Sequence, residues 1–351
     1  MQAQTTAFAP LKLEEAQYLF PEIQVPPHWE ALSGGQLNFV WRWGVIPNSV
    51  IVKQSPPFIA HIPQITLDPS RHHFEYNALS YLHTNTPTFL QTFTTKIPKL
   101  LGQDPQRHVL IIEDFGACDA LDKAITNNDF SIAKAKDLGR FIQNLHLQTQ
   151  GDEALARDHD HKNVQATRLE VQYQRIGKQA IALALPFAAE IQQAALEVGH
   201  CFLEKGKCLI MGDLWPASIL DTRHGFALID WELSHYGQPA QDIGHLAAHC
   251  WMLAHRTENP QSYVSIKQFW HHFVAQYLHQ NTYFGDEQAI LASQHMGAEI
   301  LARTIGAFQA GYLYDGLPAS HPAMTSAISV ATDHLLNPIP FFLRMDIMGS
   351  K

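Results

Sequence analysis

Two hydrophobic rhythms divide the chain. Over residues 37–52, Leu37 to Trp43 (LNFVWRW) and Ser49 to Val52 (SVIV) are short runs rich in β-branched and aromatic residues, with Pro47-Asn48 between them. That pattern predicts a β-hairpin. Residues 70–83 place Phe74, Ala78 and Tyr81 or Leu82 at helical spacing. His108 to Ile112 (HVLII) reads as another strand, followed by a turn at Glu113-Asp114-Phe115-Gly116. The order strand, strand, helix, strand predicts an antiparallel sheet with one helix beside it.

Beyond residue 116 the helical period dominates. Ser131 is placed to cap a helix carrying Ile132, Leu138, Ile142 and Leu145 on one face. Over 187–205, Ile191, Ala195, Val198 and Phe202 share a face, and Gly206 is expected to stop the helix. Two short strands, Lys207 to Met211 and Gly225 to Ile229, lead to Asp213 and Asp230. Helices are expected again over 240–256, 264–280 and 289–313. The polar stretch 150–165 (QGDEALARDHDHKN at its start) reads as an exposed loop, with Asp158-His159-Asp160-His161 as solvated surface.

Composition narrows the function classes. The 351 residues carry 46% hydrophobic and 16% charged residues and a formal net charge of −9. Such a chain can bury a large core, which excludes wholesale disorder. With no Lys/Arg-rich run it does not read as a nucleic-acid binder. No stretch approaches the roughly 18 apolar residues of a membrane span, and no secretory signal stands at MQAQTTAFAPLKLEE. Cys118, Cys201, Cys208 and Cys250 form no C-x-x-C pair. They read as reduced thiols of a cytoplasmic protein.

Chemistry concentrates in Met211-Gly212-Asp213-Leu214-Trp215-Pro216-Ala217-Ser218 and in Ile229-Asp230-Trp231-Glu232. Carboxylates at strand ends are rigidly held, and a close pair can share a divalent cation. One can orient a hydroxyl while another holds metal, which is what phosphoryl transfer requires. A second element, Ser33-Gly34-Gly35-Gln36-Leu37-Asn38, precedes Lys53 on the return strand. Glycines at a hairpin tip let backbone N–H groups approach phosphate. Glu75 on the following helix is the expected partner of Lys53. Neither G-x-x-x-x-G-K-[ST] nor G-x-G-x-x-G occurs, which disfavours P-loop and Rossmann folds. His245 and His249 have i, i+4 spacing without the glutamate of H-E-x-x-H, since Leu246 stands there, and read as core or surface histidines.

GGQLNFVW with SVIVKQSPPF, LGRFIQNLH, LIMGDLWPASIL and ALIDWELSHYGQPAQDIGHLAAH occur in the order found in one family. The chain resembles the aminoglycoside phosphotransferase and choline kinase group, and within it the 5-methylthioribose-kinase-like small-molecule kinases. The resemblance covers nearly the whole chain. It implies an α+β, two-lobed protein-kinase-like fold, with an antiparallel N-lobe over 1–115 and a helical C-lobe over 116–351. It also implies that ATP and Mg²⁺ bind in the cleft and that the γ-phosphoryl group passes to a hydroxyl of a small molecule.

By the same resemblance, Asp213 is the catalytic base and Asp230, Glu232 and Ser218 hold the metal. Ser33, Gly34, Gly35, Asn38 and Lys53 serve the phosphates, with Glu75 pairing Lys53. Backbone groups of Glu113, Asp114 and Phe115 take adenine, Asp242 braces the catalytic loop, and Trp215 and Arg303 face the acceptor. Met211 replaces the family's usual histidine, Ser218 replaces its asparagine, and Arg303 is one arginine where methylthioribose kinases carry two. Trp215 stands where a smaller polar residue is usual. The rival readings are a kinase of a hydroxylated amine, choline-like or arylalkylamine-like, and a nucleotide-binding pseudokinase. No nucleic-acid or membrane partner is expected, and a homodimer is compatible with the resemblance.

Overall fold

The structure is a computed structural model that describes residues 8–32, 37–85, 87–127 and 130–339. It divides into two compact units, residues 1–87 with 97–118, and residues 88–96 with 119–351.

The first unit is built on a five-stranded antiparallel sheet. Its strands are β1 (Trp29–Ala31), β2 (Phe39–Val45), β3 (Asn48–Gln54), β4 (Leu100–Asp104) and β5 (Val109–Glu113), in the order β1-β2-β3-β5-β4. The β2–β3 hairpin is the one expected, with Val40 opposite Lys53 and Trp43 opposite Val50. Strands β1 and β4 and helix α1 (Leu13–Leu19) were not legible as elements; β1 is three residues long and β4 carries Gly102 and Asp104.

Side chains alternate across a strand. Trp41, Trp43, Val50, Val52, Val109 and Ile111 therefore share one face and bury it against Leu11, Ala16 and Phe20 of the α1 region. Lys53 follows Val52 and must point to the opposite face. There helix α2 (Arg71–Asn85) supplies Glu75.

The second unit is mainly helical. Its long helices are α3 (Ile132–Gln148), α4 (Ala188–His200), α5 (Pro239–Arg256), α6 (Pro260–Leu278), α7 (Asp286–Thr304) and α8 (Pro322–Leu336). Four short strands carry the loops of interest: β6 (Cys208–Ile210), β7 (Ile219–Asp221), β8 (Phe226–Leu228) and β9 (His235–Gly237). β6 pairs with β9, and β7 with β8, both antiparallel. Residues 88–96 join this unit: Leu228 N–H donates to the Lys96 carbonyl, and Asp137 of α3 accepts from Thr94 and Thr95.

Several expectations are corrected. Ser131 stands at the N-cap of α3 but its hydroxyl makes no capping bond, and Ile132 is exposed. Helix α4 ends at His200, not at Gly206. Gly206 is instead required by close packing, since an added Cβ would run into the Tyr236 carbonyl oxygen. Helix α7 stops at Thr304, where the N–H groups of Ile305 and Gly306 both donate to the Leu301 carbonyl. The stretch 150–165 is not an open loop. Residues 153–158 and 162–168 are helical, and His159 and His161 are buried because the turn between them packs on β9: Tyr236 N–H donates to the His159 carbonyl.

Candidate active site

In the first unit, Lys53 Nζ lies 2.8 Å from both carboxylate oxygens of Glu75. Both residues are buried. A buried ammonium needs such a partner to stay charged. Asn38 is also buried, and its amide oxygen accepts from Arg71 Nε at 3.0 Å. Arg71 donates further to the carbonyls of Leu37, Pro56 and Asp68, tying the end of the glycine segment to α2. Ser33, Gly34 and Gly35 lie outside the described residues.

Glu113 ends β5, and Asp114 and Phe115 follow it. The Asp114 carboxylate accepts from Arg42 Nε at 2.6 Å, Ser49 Oγ at 2.7 Å and Gly116 N–H at 2.8 Å. Burial alone would raise its pKa; these donors win and hold it below the usual carboxylate range.

In the second unit, β6 delivers the chain to Met211-Gly212-Asp213. Gly212 has φ +79°, and an added Cβ would strike the Leu233 carbonyl oxygen, so this turn admits only glycine. Both sides of its peptide framework are held. Asp242 of α5 accepts the N–H groups of Met211 and Gly212, each at 2.9 Å. The Gly212 carbonyl accepts from Arg168 Nη1 at 2.9 Å and Gln241 Nε2 at 2.8 Å. His146 of α3 bonds Asp242 in turn at 3.2 Å.

Asp213 is thus carried on a clamped turn. Burial pushes its pKa up to about 7; Arg168 and Arg303 oppose the rise, and Glu299 and Glu232 add to it. A carboxylate poised near neutrality matches what a general base needs.

Ser218 closes the loop. Its fully buried hydroxyl faces the carbonyls of Trp215 at 2.8 Å and Asp213 at 3.0 Å, so its Oγ is engaged by the loop's own backbone. The Ser218 carbonyl accepts Ile229 N–H, which registers this loop beside the next acidic segment. Asp230 sits in the left-handed region at φ +65°, a conformation rare for non-glycine residues and found at functional sites. Trp231, fully buried, donates from Nε1 to the Leu228 carbonyl and fixes the segment. Asp230 and Glu232 bring carboxylate oxygens within 4.8 Å of each other. Two hard oxygen donors at that spacing fit a divalent cation such as Mg²⁺.

A sequence profile of the phosphotransferase enzyme family matches residues 28–285. The chain belongs to this family. The phosphotransferase is similar to a 4-hydroxytryptamine kinase of Psilocybe cyanescens, with 25% identity over 278 residues covering 70% of this chain and 74% of that one. It is also similar to a methylthioribose kinase of Bacillus cereus strain AH187, with 24% identity over 268 residues covering 69% and 66%. Among solved structures, amicoumacin kinase in complex with AMP-PNP, Ca²⁺ and Ami aligns with TM-score 0.58 and 13% identity over 93% of both chains. A choline/ethanolamine kinase family protein from Mesorhizobium loti aligns with TM-score 0.54 and 14% identity over 95% of this chain and 98% of that one. The fold is therefore the α+β, protein-kinase-like fold of these enzymes, and the chain is an ATP-dependent kinase of small molecules. All four cysteines of the phosphotransferase are free thiols. Among its described residues no helix is long and apolar enough to cross a membrane.

Around Arg303 the second unit holds a buried network that local sequence pattern does not reveal. Arg303, expected near the acceptor, is buried, and its Nε donates to Glu299 Oε1 at 2.8 Å. Glu299 also accepts from His249 Nε2 at 3.1 Å and Gln172 Nε2 at 2.5 Å. Burial opposes its ionisation, but Arg303 and His249 hold it well below the usual carboxylate range. Because the ionised Glu299 can only accept, His249 carries its proton on Nε2, and its Nδ1 accepts from Tyr312 Oη at 2.6 Å. Trp215 packs 5.1 Å from the His249 ring. The i, i+4 pair Glu299/Arg303 on α7 was the one sequence signal for this network.

Proposed function

We propose that the phosphotransferase moves the γ-phosphoryl group of ATP to a hydroxyl of a small, oxygen-rich acceptor of the methylthioribose type, with Asp213 as the base. The observation that carries this reading is the clamped Asp213 turn, with the carboxyl raised to about 7 and Arg303 acting on it. In the transfer, the acceptor oxygen forms a bond to phosphorus as the bond from phosphorus to the ADP oxygen breaks. The acceptor proton passes to Asp213.

Lys53, held by Glu75, is assigned to the ATP phosphates. Backbone groups of Glu113 to Phe115 are assigned to adenine. Asp230 and Glu232 would hold Mg²⁺, which when bound would supply charge neutralisation at the phosphates. Ser218 sets the spacing of the loop beside them, and Asn38 with Arg71 anchors the end of the glycine segment. The similarity to 4-hydroxytryptamine kinases supports a second reading, a hydroxylated arylalkylamine as acceptor.

The test is Mg²⁺-dependent ADP release from ATP with methylthioribose, 4-hydroxytryptamine, choline, ethanolamine, homoserine and aminoglycosides. Turnover of a sugar-type acceptor is expected. ATP binding with no ADP release for any acceptor in wild-type protein would contradict the reading and leave a nucleotide-binding pseudokinase.

A further inference from the structure

The longest apolar run of the chain, Ala180 to Ala189 (AIALALPFAA), turns at the surface of the second unit. Ile181 is 51% exposed, Leu183 41% and Phe187 63%. Grouped apolar side chains in water mark a contact site. The backbone takes a costly shape to present them. Ala184 and Phe187 lie in the left-handed region, at φ +49° and +61°, with no glycine in the run. Phe187 thereby points outward at the N-cap of α4.

Leu185, Pro186 and Phe187 form one wall of a groove of about 750 Å³. The other wall is the face of α8 that carries Ile328, Thr332, Asp333 and Leu336. Asn337, the residue that ends α8, lines the groove too.

The chain itself holds a segment that matches this groove. Residues 340–351 (PFFLRMDIMGSK) lie outside the described residues and begin three residues after Asn337. Phe341, Phe342, Leu343, Met345, Ile347 and Met348 make the segment as apolar as the run opposite. Pro338 and Pro340 keep α8 from continuing through it. The α8 wall from Thr325 to Leu336 is about 17 Å long at about 1.5 Å per residue. An extended chain covers about 3.3 Å per residue, so about six residues run back along it. Charge fits as well. Asp333 is the one charged residue among the described residues lining the groove, and Arg344 stands amid the apolar residues of the segment. A segment tethered at the groove's edge meets it at an effective concentration on the order of millimolar, an advantage a second copy lacks.

We propose that residues 341–348 pack into this groove of their own chain as a strap, with their apolar side chains against Phe187 and Ile328 and Arg344 paired with Asp333. The strap covers the exposed run and fastens the start of α4 to α8. Helix α8 is in turn seated on α7: Ser293 Oγ lies 2.8 Å from His334 Nδ1, and an added Cβ on Gly297 would meet the Ala331 carbonyl oxygen. The strap therefore braces the helix that carries Glu299 and Arg303.

The experiment uses the full chain with Phe187 replaced by the photo-cross-linker p-benzoylphenylalanine. A mixture of unlabelled and heavy-isotope-labelled protein is irradiated, digested and read by mass spectrometry. Cross-links from position 187 to residues 341–348 are expected, with the same isotope label on both peptides. Arg344→Glu should lower their yield at least five-fold, and Asp333→Lys/Arg344→Glu should restore it to within two-fold. Absence of cross-links to 341–348 overturns the proposal. Pairs of mixed label overturn it too, because they seat a second copy's segment in the groove, and so do equal yields in all three proteins. Melting curves check that each protein is folded. If the probe at 187 prevents folding, it is moved to Thr332 on the opposite wall and the same outcomes decide. None of these readouts uses turnover, so the result stands apart from the kinase reading.

Discussion

Asp242 holds the turn that carries Asp213 by its backbone: its Oδ1 accepts the Gly212 N–H at 2.9 Å while its Oδ2 accepts the Met211 N–H at the same distance. Asp242 is fully buried, so water cannot replace it. Each buried donor left without a partner costs about 1–3 kcal/mol. Asp242→Ala is expected to destabilise the protein by about 2–5 kcal/mol, measured by urea unfolding. A loss below about 1 kcal/mol would mean the turn is held chiefly by Arg168 and Gln241.

Gly212→Ala tests the turn from the backbone. The left-handed φ and the Leu233 carbonyl leave no place for a methyl group. The variant should lose about 1–3 kcal/mol from backbone strain and more from the clash. Kinase activity should fall further than stability, because the turn aims Asp213. Retention of near wild-type turnover by a folded Gly212→Ala would show that the aim is set elsewhere.

The raised Asp213 carboxyl makes stability depend on pH with a definite sign. Native Asp213 keeps its proton up to about 7, whereas the unfolded chain releases it near the ordinary value of 3.8. Between those values the native state binds more protons, so this group makes stability fall as pH rises, and its penalty is complete above about 7. Asp213→Asn removes that penalty. Its melting temperature should exceed wild type's by a few degrees at pH 8, and the difference should vanish near pH 4. Equal melting curves at both pH values would mean that Asp213 ionises normally.

Lys53 and Glu75 form a buried pair, and breaking it should be costlier than removing it. Lys53→Met leaves a carboxylate buried without its ammonium, a loss of about 3–5 kcal/mol. The double variant Lys53→Met/Glu75→Leu should recover a large part of that stability while still failing to bind ATP normally. Additive losses in guanidinium unfolding would show that the two charges are not coupled.

The legibility of the chain followed the range of the physics. Lys53, Asp213 and Asp230 stand at or beside short apolar runs, and local pattern is enough to place such residues on strands and turns. The β2–β3 hairpin and helix α2 were legible for the same reason. Glu299, His249 and Gln172 were not, because they lie on separate helices and meet only through packing. The Asp158–His161 stretch failed in the other direction: its polarity suggested solvent, but His159 and His161 are buried where the chain turns onto β9. Polar composition reports exposure poorly when the backbone of a turn completes a neighbouring strand's hydrogen bonds. The single arginine on α7 was legible, but the aromatic rings that enclose it come from residues 215, 308 and 312.

As the proposed base, Asp213 must govern how turnover depends on pH. The most direct measurement is the pH profile of Mg²⁺-dependent ADP release, in wild type and Asp213→Asn, with the acceptor that gives the highest rate in the panel. Wild-type kcat/KM should rise with pH through about 7, and Asp213→Asn should bind ATP with unchanged affinity but turn over at least 100-fold more slowly, the lower end of the about 10²–10⁴-fold contribution of general base catalysis. A folded Asp213→Asn that keeps the wild-type rate and profile would contradict that role.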